Sequence, residues 1–253
     1  MASILDQYGI KEVADVTFYE INELGEPGAP VLYLNTLKVS NIEGTAESTQ
    51  ATGGKGNARL IAWDYGKDIN VTLTDALFSP KSLSIMMGSG AVETKATGKV
   101  KKTIEFRATA TDVASGAPTT WKDPKGAERQ ISSPVIYDAN ENEIDAVSGE
   151  LVVGERYFIT FDQPIVDVQE IVVNADSFPG TYYVTGDTFA RPKGKSADEL
   201  FQFIIPQAKV ASETNLTMEA EGDPSTFDMT LNVLRADDGQ MMKLVKYNLP
   251  DIE

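Results

Sequence analysis

The sequence predicts an all-β fold, mainly antiparallel, with one short α-helix flanking it. Three observations carry that prediction. Residues 214–247 alternate apolar and polar side chains in short runs: Leu216, Met218 and Ala220 against Thr217, Glu219 and Glu221, then Phe227, Met229, Leu231 and Val233 against Asp228, Thr230 and Asn232. A period of two places one set on a buried face and the other on a polar face. Turn residues such as Gly222-Asp223-Pro224-Ser225 and Asp237-Asp238-Gly239 break these runs, and similar breaks recur roughly every ten residues, as short antiparallel strands require. A single stretch, Ser79 to Gly88, carries clear helix start and stop signals. The C-terminal region thus reads as a three-stranded antiparallel meander with Met218, Phe227, Met229, Leu231 and Val233 in its core.

Composition narrows the function. At 253 residues the chain can form one large all-β domain or two smaller ones. Lys plus Arg total 22 against 38 for Asp plus Glu, a net charge of −16. Such acidity opposes a surface that grips nucleic acid, which needs clustered cations. It is compatible with a wall past which DNA slides, and also with simple solubility. The chain has no cysteine and no histidine, which excludes disulfides, thiolate chemistry, His-based metal sites and Ser-His or Cys-His catalysis. No apolar run approaches the roughly 20 residues that span a bilayer. The opening MASILDQYGIKEVADV lacks the basic and apolar regions of a secretory signal, so folding in a cytoplasm is expected.

In chain order, 14–23 reads as a strand closed by Gly25-Glu26-Pro27-Gly28, and 30–42 as its hairpin partner. Residues 43–57, EGTAESTQATGGKGN, hold almost nothing apolar beyond alanine. They read as an exposed loop long enough to be functional, an arm that orders against a neighbour, with Thr49, Gly53, Gly54, Lys55, Gly56 and Asn57 as its contact residues. The glycines there lack the GxxxxGK[ST] spacing of a phosphate loop. Strands are predicted at 58–63 and 68–73, separated by a turn at 64–67, with a single helical turn at 74–78. Ser79 as N-cap, Pro80 at the first helical position, Leu83, Ile85 and Met86 on the apolar face and Gly88 at the stop define the helix. A long strand is expected at 95–112; its Lys95, Lys99, Lys101 and Lys102 form a basic cluster without stacking aromatics, best read as a solvated strand end. Residues 113–127 and 191–196 have loop composition, and short strands are expected between them at 134–138, 151–161, 165–175 and 181–185. A last run at 200–205 ends at Pro206.

Two constellations suggest chemistry. Asp138, Asn140 and Asn142 match the start of a calcium loop, but Glu143 stands where the loop needs glycine and Gly149 where it needs glutamate. An Asn/Asp-rich hairpin tip accounts for them more simply. Acidic pairs such as Glu219 with Glu221 lack the aromatic surroundings of a glycosidase cleft. No catalytic, metal or cofactor residues are assigned, and an enzyme is not expected.

Leu60 to Gly88, LIAWDYGKDINVTLTDALFSPKSLSIMMG, and Ile205 to Arg235, IPQAKVASETNLTMEAEGDPSTFDMTLNVLR, resemble the tail tube (major tail) proteins of tailed bacteriophages, with weaker support from Ala175 to Gly186, ADSFPGTYYVTG. The resemblance implies a β-sandwich or barrel flanked by a helix, six copies to a ring, and rings stacked into a hollow tube through which DNA passes. It implies an arm that reaches a neighbouring ring, a role that falls on 43–57. It sits on both sides of the middle of the chain, so 1–112 with 200–253 is expected as the tube-like core and 113–199 as a β-rich inserted or added domain; two sequential domains are the alternative. The expected partners are copies of the chain itself and other tail proteins, with no membrane and no small-molecule substrate. The expected location is the virion tail, assembled in the host cytoplasm. Rival readings are a capsid or head-decoration protein, and a carbohydrate- or receptor-binding module.

Overall fold

In a computed structural model, residues 7–145, 149–213, 216 and 226–249 are described, and strand accounts for 57% of the chain against 6% for helix. The architecture is all-β and mainly antiparallel, as the alternation predicts. In order, the elements are β1 (Tyr8–Ile10), β2 (Asp15–Ile21), β3 (Pro27–Leu34), β4 (Leu37–Gly53), β5 (Ala58–Asp75), α1 (Pro80–Met86), β6 (Glu93–Arg107), α2 (Ala110–Ser115), β7 (Thr120–Lys122), β8 (Glu128–Gln130), β9 (Val135–Tyr137), β10 (Glu143–Ile144), β11 (Arg156–Glu170), β12 (Thr181–Pro192), β13 (Glu199–Val210), β14 (Phe227–Val233) and β15 (Lys243–Tyr247).

The chain forms two compact units, Met1–Val92 with Ile171–Glu253, and Glu93–Glu170. These boundaries differ from the expected 112/113 and 199/200. The basic strand β6 belongs to the second unit because its backbone pairs along its length with β11, from Arg156↔Arg107 to Glu170↔Glu93. β12, expected at 181–185 in the middle domain, lies instead between β2 and β13 in the sheet of the first unit.

In the first unit the path is β3-β2-β12-β13-β14-β5-β4, with β1 on β12 and β15 on β13. One buried cluster runs through it, including Val16, Phe18, Val71, Leu73, Val184, Ile205 and Leu231. Leu34 of β3 and Leu73 of β5 line the same small apolar cavity, so the sheet curls until strands from its two ends face each other across α1. β13 does not stop at Pro206. The pairs Tyr182↔Ala208 and Val184↔Ile205 leave β13 one residue longer than β12, a bulge that accommodates a residue with no N–H to donate.

The last two strands of the expected meander are not neighbours, and its first strand, apart from Leu216, lies outside the described residues. β14 and β15 do not pair with each other; both pair with β13, β14 at Ala208–Val210 and β15 at Leu200–Ile204. β14 gains its second neighbour from β5, far away in sequence. Met218, assigned to the meander core, lies outside the described residues. Phe227, Met229, Leu231 and Val233 are all buried, on the face the period of two assigns them.

In the second unit the sheet is β10-β9-β11-β6, with a separate β7–β8 hairpin, over a core of Ile136, Leu151, Tyr157, Ile159 and Phe161. The predicted strands 151–161 and 165–175 are one strand, β11, running through Pro164. The long strand expected to reach Asp112 ends at Arg107. There Thr109 caps α2: its side chain accepts from the N–H of Asp112, whose carboxylate in turn accepts from the N–H of Thr109 at 2.8 Å. A reciprocal cap of this kind turns the chain into a helix even where alternation continues, and the T-x-x-D spacing was its sequence signal.

Candidate assembly surface

The 43–57 segment is not a loop. β4 and β5 pair from Leu37↔Asp75 to Gly53↔Ala58, so the segment and its successor form a two-stranded ribbon. Gly54, Lys55, Gly56 and Asn57 are the turn at its tip. Gly54 (φ 78°), Gly56 (φ 87°) and Asn57 (φ 51°) hold left-handed conformations that glycine and asparagine tolerate. The Asn57 N–H donates to the Gly54 carbonyl at 3.2 Å. The expected turn at 64–67 is an irregularity within β5: the register shifts between Thr45↔Asp68 and Glu47↔Tyr65, with Gly66 at φ 61°. The expected helical turn at 74–78 is absent, since β5 continues to Asp75, whose carboxylate accepts from Thr36 Oγ1 at 2.5 Å and from the Leu77 N–H at 3.2 Å.

From Ala58 to Asp68 no residue of β5 is buried on either face. Thr49 lies opposite Trp63, Ala51 opposite Ile61 and Glu47 opposite Tyr65, so these pairs share a face. A second register shift, between Ala51 and Thr52, leaves Leu60 without an opposite residue, and its Cδ1 lies within 3.3 Å of where a Cβ on Gly53 would be. Gly53 is on the face of Ala51 and Thr49. Leu60 (65% exposed), Ile61 (53%), Trp63 (52%) and Tyr65 (53%) therefore make one continuous apolar stripe along a bare ribbon. Ordinary monomer surfaces scatter such side chains, whereas contiguous ones mark contact sites. Sequence reasoning assigned the arm's contacts to Thr49 and the tip glycines and missed this stripe. Its signal was Leu-Ile-x-Trp-x-Tyr next to a glycine-rich turn.

The helix is set as its residues require. Ser79 Oγ accepts from the Ser82 N–H at 3.0 Å, and Ser82 Oγ accepts from the Ser79 N–H at 2.9 Å. Pro80 occupies the first turn, where no N–H is needed. Ile85 and Met86 are buried in the first core and Leu83 is half-buried. Gly88 (φ 74°) ends the element, and a Cβ there would lie 2.5 Å from the carbonyl carbon of Phe178. Phe78, just ahead of the cap, packs against Phe227 of β14 with ring centroids 4.5 Å apart and planes tilted by 55°.

The sheet face opposite the core carries Thr, Asn, Gln and Asp side chains, with Lys209 opposite Asn232 and Lys243 in the same row as Thr185 and Ile204. Thr74 Oγ1 donates to Asp228 at 2.6 Å, Thr72 lies opposite Thr230, and Asn70 opposite Asn232. Asp15, Thr17, Thr185 and Asp187 continue it on β2 and β12, and Gln202 donates to Asp187 at 2.9 Å. The path ends at β3 and β4, each hydrogen-bonded within the sheet on one side only.

The calcium-like sequence forms a hairpin tip between β9 and β10. Asp138 Oδ1 accepts from the N–H groups of Asn140 and Asn142 at 2.8 and 2.9 Å, and Oδ2 accepts from Asn142 Nδ2 at 2.9 Å. These bonds, led by that from Asn142, hold the Asp138 carboxyl below its ordinary range. Its lone pairs are committed to the turn. Among the described residues no group of three or more acidic side chains is placed to hold a metal, and no helix is long and apolar enough to cross a membrane.

The first unit is thus an all-β sheet with open edge strands, bearing a bare β-ribbon. The chain belongs to the YomU/Tube protein family, whose model matches residues 8–246, and is accordingly a phage-related, tube-like protein. No curated protein matches it.

Proposed function

We propose that this chain is a bacteriophage virion structural protein, without enzymatic activity, that self-assembles into stacked hexameric rings forming the tail tube through which DNA passes. The observation that carries the reading is the ribbon with Leu60, Ile61, Trp63 and Tyr65 on one face: a neighbouring copy that covers them removes this exposed apolar stripe from water. Burying such side chains contributes about 25 cal/mol per Å². Pairing between the open edges of β3 and β4 in adjacent copies closes a continuous barrel and removes the hazard of unpaired strands. The Thr-, Asn-, Gln- and Asp-rich face then lines the channel, its few cations spread among acidic and neutral side chains and not clustered into a grip for DNA.

The partners are other copies of the chain and other tail proteins, in the virion tail after assembly in the host cytoplasm. Negative-stain electron microscopy of the purified chain tests this. Six-fold rings or long tubes are the expected result. Shells or isolated trimers would instead support a head protein, and a monomer at high concentration would end the assembly reading.

A further inference from the structure

The strongest site not used by assembly lies in the second unit. On the β6–β11 ribbon, Ile104 opposite Ile159 faces the core of that unit. Farther along the same face Phe161 still belongs to that core, while Lys102 opposite it and Val100 opposite Gln163 line a groove of about 470 Å³. Trp121 of β7 forms one wall. Its ring is held twice: the indole Nε1–H donates to Gln163 Oε1 at 2.9 Å, and the ring lies 6.0 Å from Phe161. The Lys102 ammonium sits 5.8 Å from the indole centroid, near the outer limit for cation–π attraction. At the rim, Arg129 binds Asp123 through Nε at 3.0 Å and through its terminal nitrogen at 2.9 Å, so that pair carries no net charge. Lys102 makes no ion pair among the described residues, and the groove is therefore cationic by one charge within a chain of net charge −16.

We propose that this groove binds an anionic saccharide, a pyranose bearing a carboxylate. A flat indole with planar hydrogen-bonding side chains at its edge suits the two surfaces of a sugar. The apolar C–H face packs on the ring, and the hydroxyls meet Gln163, Asp123 and Arg129. The carboxylate pairs with the Lys102 ammonium, whose present hold on the ring is loose enough to yield. A nucleic acid fits less well, because phosphate chains need several cations in a row and this groove offers one unpaired cation. The proposal is independent of tube formation, since none of these residues lies on the β4–β5 ribbon or in the first unit.

The test is isothermal titration of the full-length protein with oligogalacturonate, and with cellohexaose as the neutral control, in the parent, Lys102→Gln and Trp121→Phe. The parent binds oligogalacturonate, and raising NaCl from about 0.05 to about 0.5 M weakens that binding. Lys102→Gln weakens it by about tenfold, the loss of one charge contact. Trp121→Phe also weakens it, while keeping an aromatic ring on the core. Assembly seen by electron microscopy and the unfolding temperature stay unchanged in Lys102→Gln. No heat with oligogalacturonate, equal affinity in Lys102→Gln, or equally tight binding of cellohexaose would each overturn the proposal.

Discussion

Two glycines two positions apart show how residue-scale strain depends on what lies across the gap. Gly88 and Gly90 both hold positive φ, 74° and 70°. Around Gly90 an added Cβ meets nothing within 4 Å, whereas at Gly88 it meets the backbone of Phe178. Conformation alone costs an alanine about 1–2 kcal/mol. Chemical denaturation should therefore show Gly90→Ala losing about that amount, and Gly88→Ala losing clearly more because backbone cannot swing aside as a side-chain tip can. Equal losses would mean the 178–179 segment yields freely. Carboxylates supply the second residue-scale prediction. Hydrogen bonds from Ala127 and Arg129 at Asp123, and from Asn142 at Asp138, lower both groups from their ordinary range near pH 4. A lowered folded-state pKa stabilises above the unfolded value and loses that contribution as pH falls through the folded one. The unfolding temperature should stay level from neutral pH to about pH 4 and decline below it. Asp138→Asn should flatten part of that decline; both side chains lie near solvent, so the effect is modest.

At the scale of elements, burial separates two roles for apolar alternation. Leu231 on β14 is 0% exposed, and Leu231→Ala should cost about 2–5 kcal/mol in equilibrium unfolding, from lost transfer energy and the cavity left behind. Ile61 and Trp63 alternate just as regularly but are half exposed, and replacing both with serine should leave stability within about 0.5 kcal/mol. The same double variant should fail to form rings or tubes by electron microscopy. Intact tubes from it would remove the ribbon from the assembly contact. Ser79→Ala belongs at this scale too: it removes one half of the reciprocal cap on α1 and should cost about 0.5–2 kcal/mol.

For the whole molecule, a charge of −16 on every copy opposes close association. Added salt shortens the Debye length to about 10 Å at 0.1 M and about 3 Å at 1 M, so sedimentation should show assembly growing with ionic strength. Assembly that weakens with salt would mean that ion pairs between copies, and not the apolar stripe, hold them together. The location of the second unit within the sequence also belongs to this scale. Composition suggested a boundary at 113–127, where loop residues cluster, because glycine and proline mark turns whether or not a domain begins there. The structure puts the boundary between Val92 and Glu93, just after Gly88-Ser89-Gly90, which had read only as the stop of the helix, because β6 pairs with β11 and therefore goes where β11 goes.

Local chemistry was legible. The all-β class, the buried side of β14, and the cap and stop of α1 each follow from side chains a few residues apart. Pairing between distant strands was not, since alternation says which face is buried but not which strand lies alongside. Hence β14 and β15 read as neighbours although each pairs with β13, and a polar, glycine-rich segment read as a loop although β5 pairs with it to its tip. The apolar stripe was hidden for the same reason. Leu60, Ile61, Trp63 and Tyr65 look like core in a string of letters, and only the absence of any layer covering the ribbon turns them into a surface. What the sequence alone determined was the set of faces and turns; the tertiary structure decided which faces found cover, because burial is a property of the neighbours a strand acquires and not of the strand.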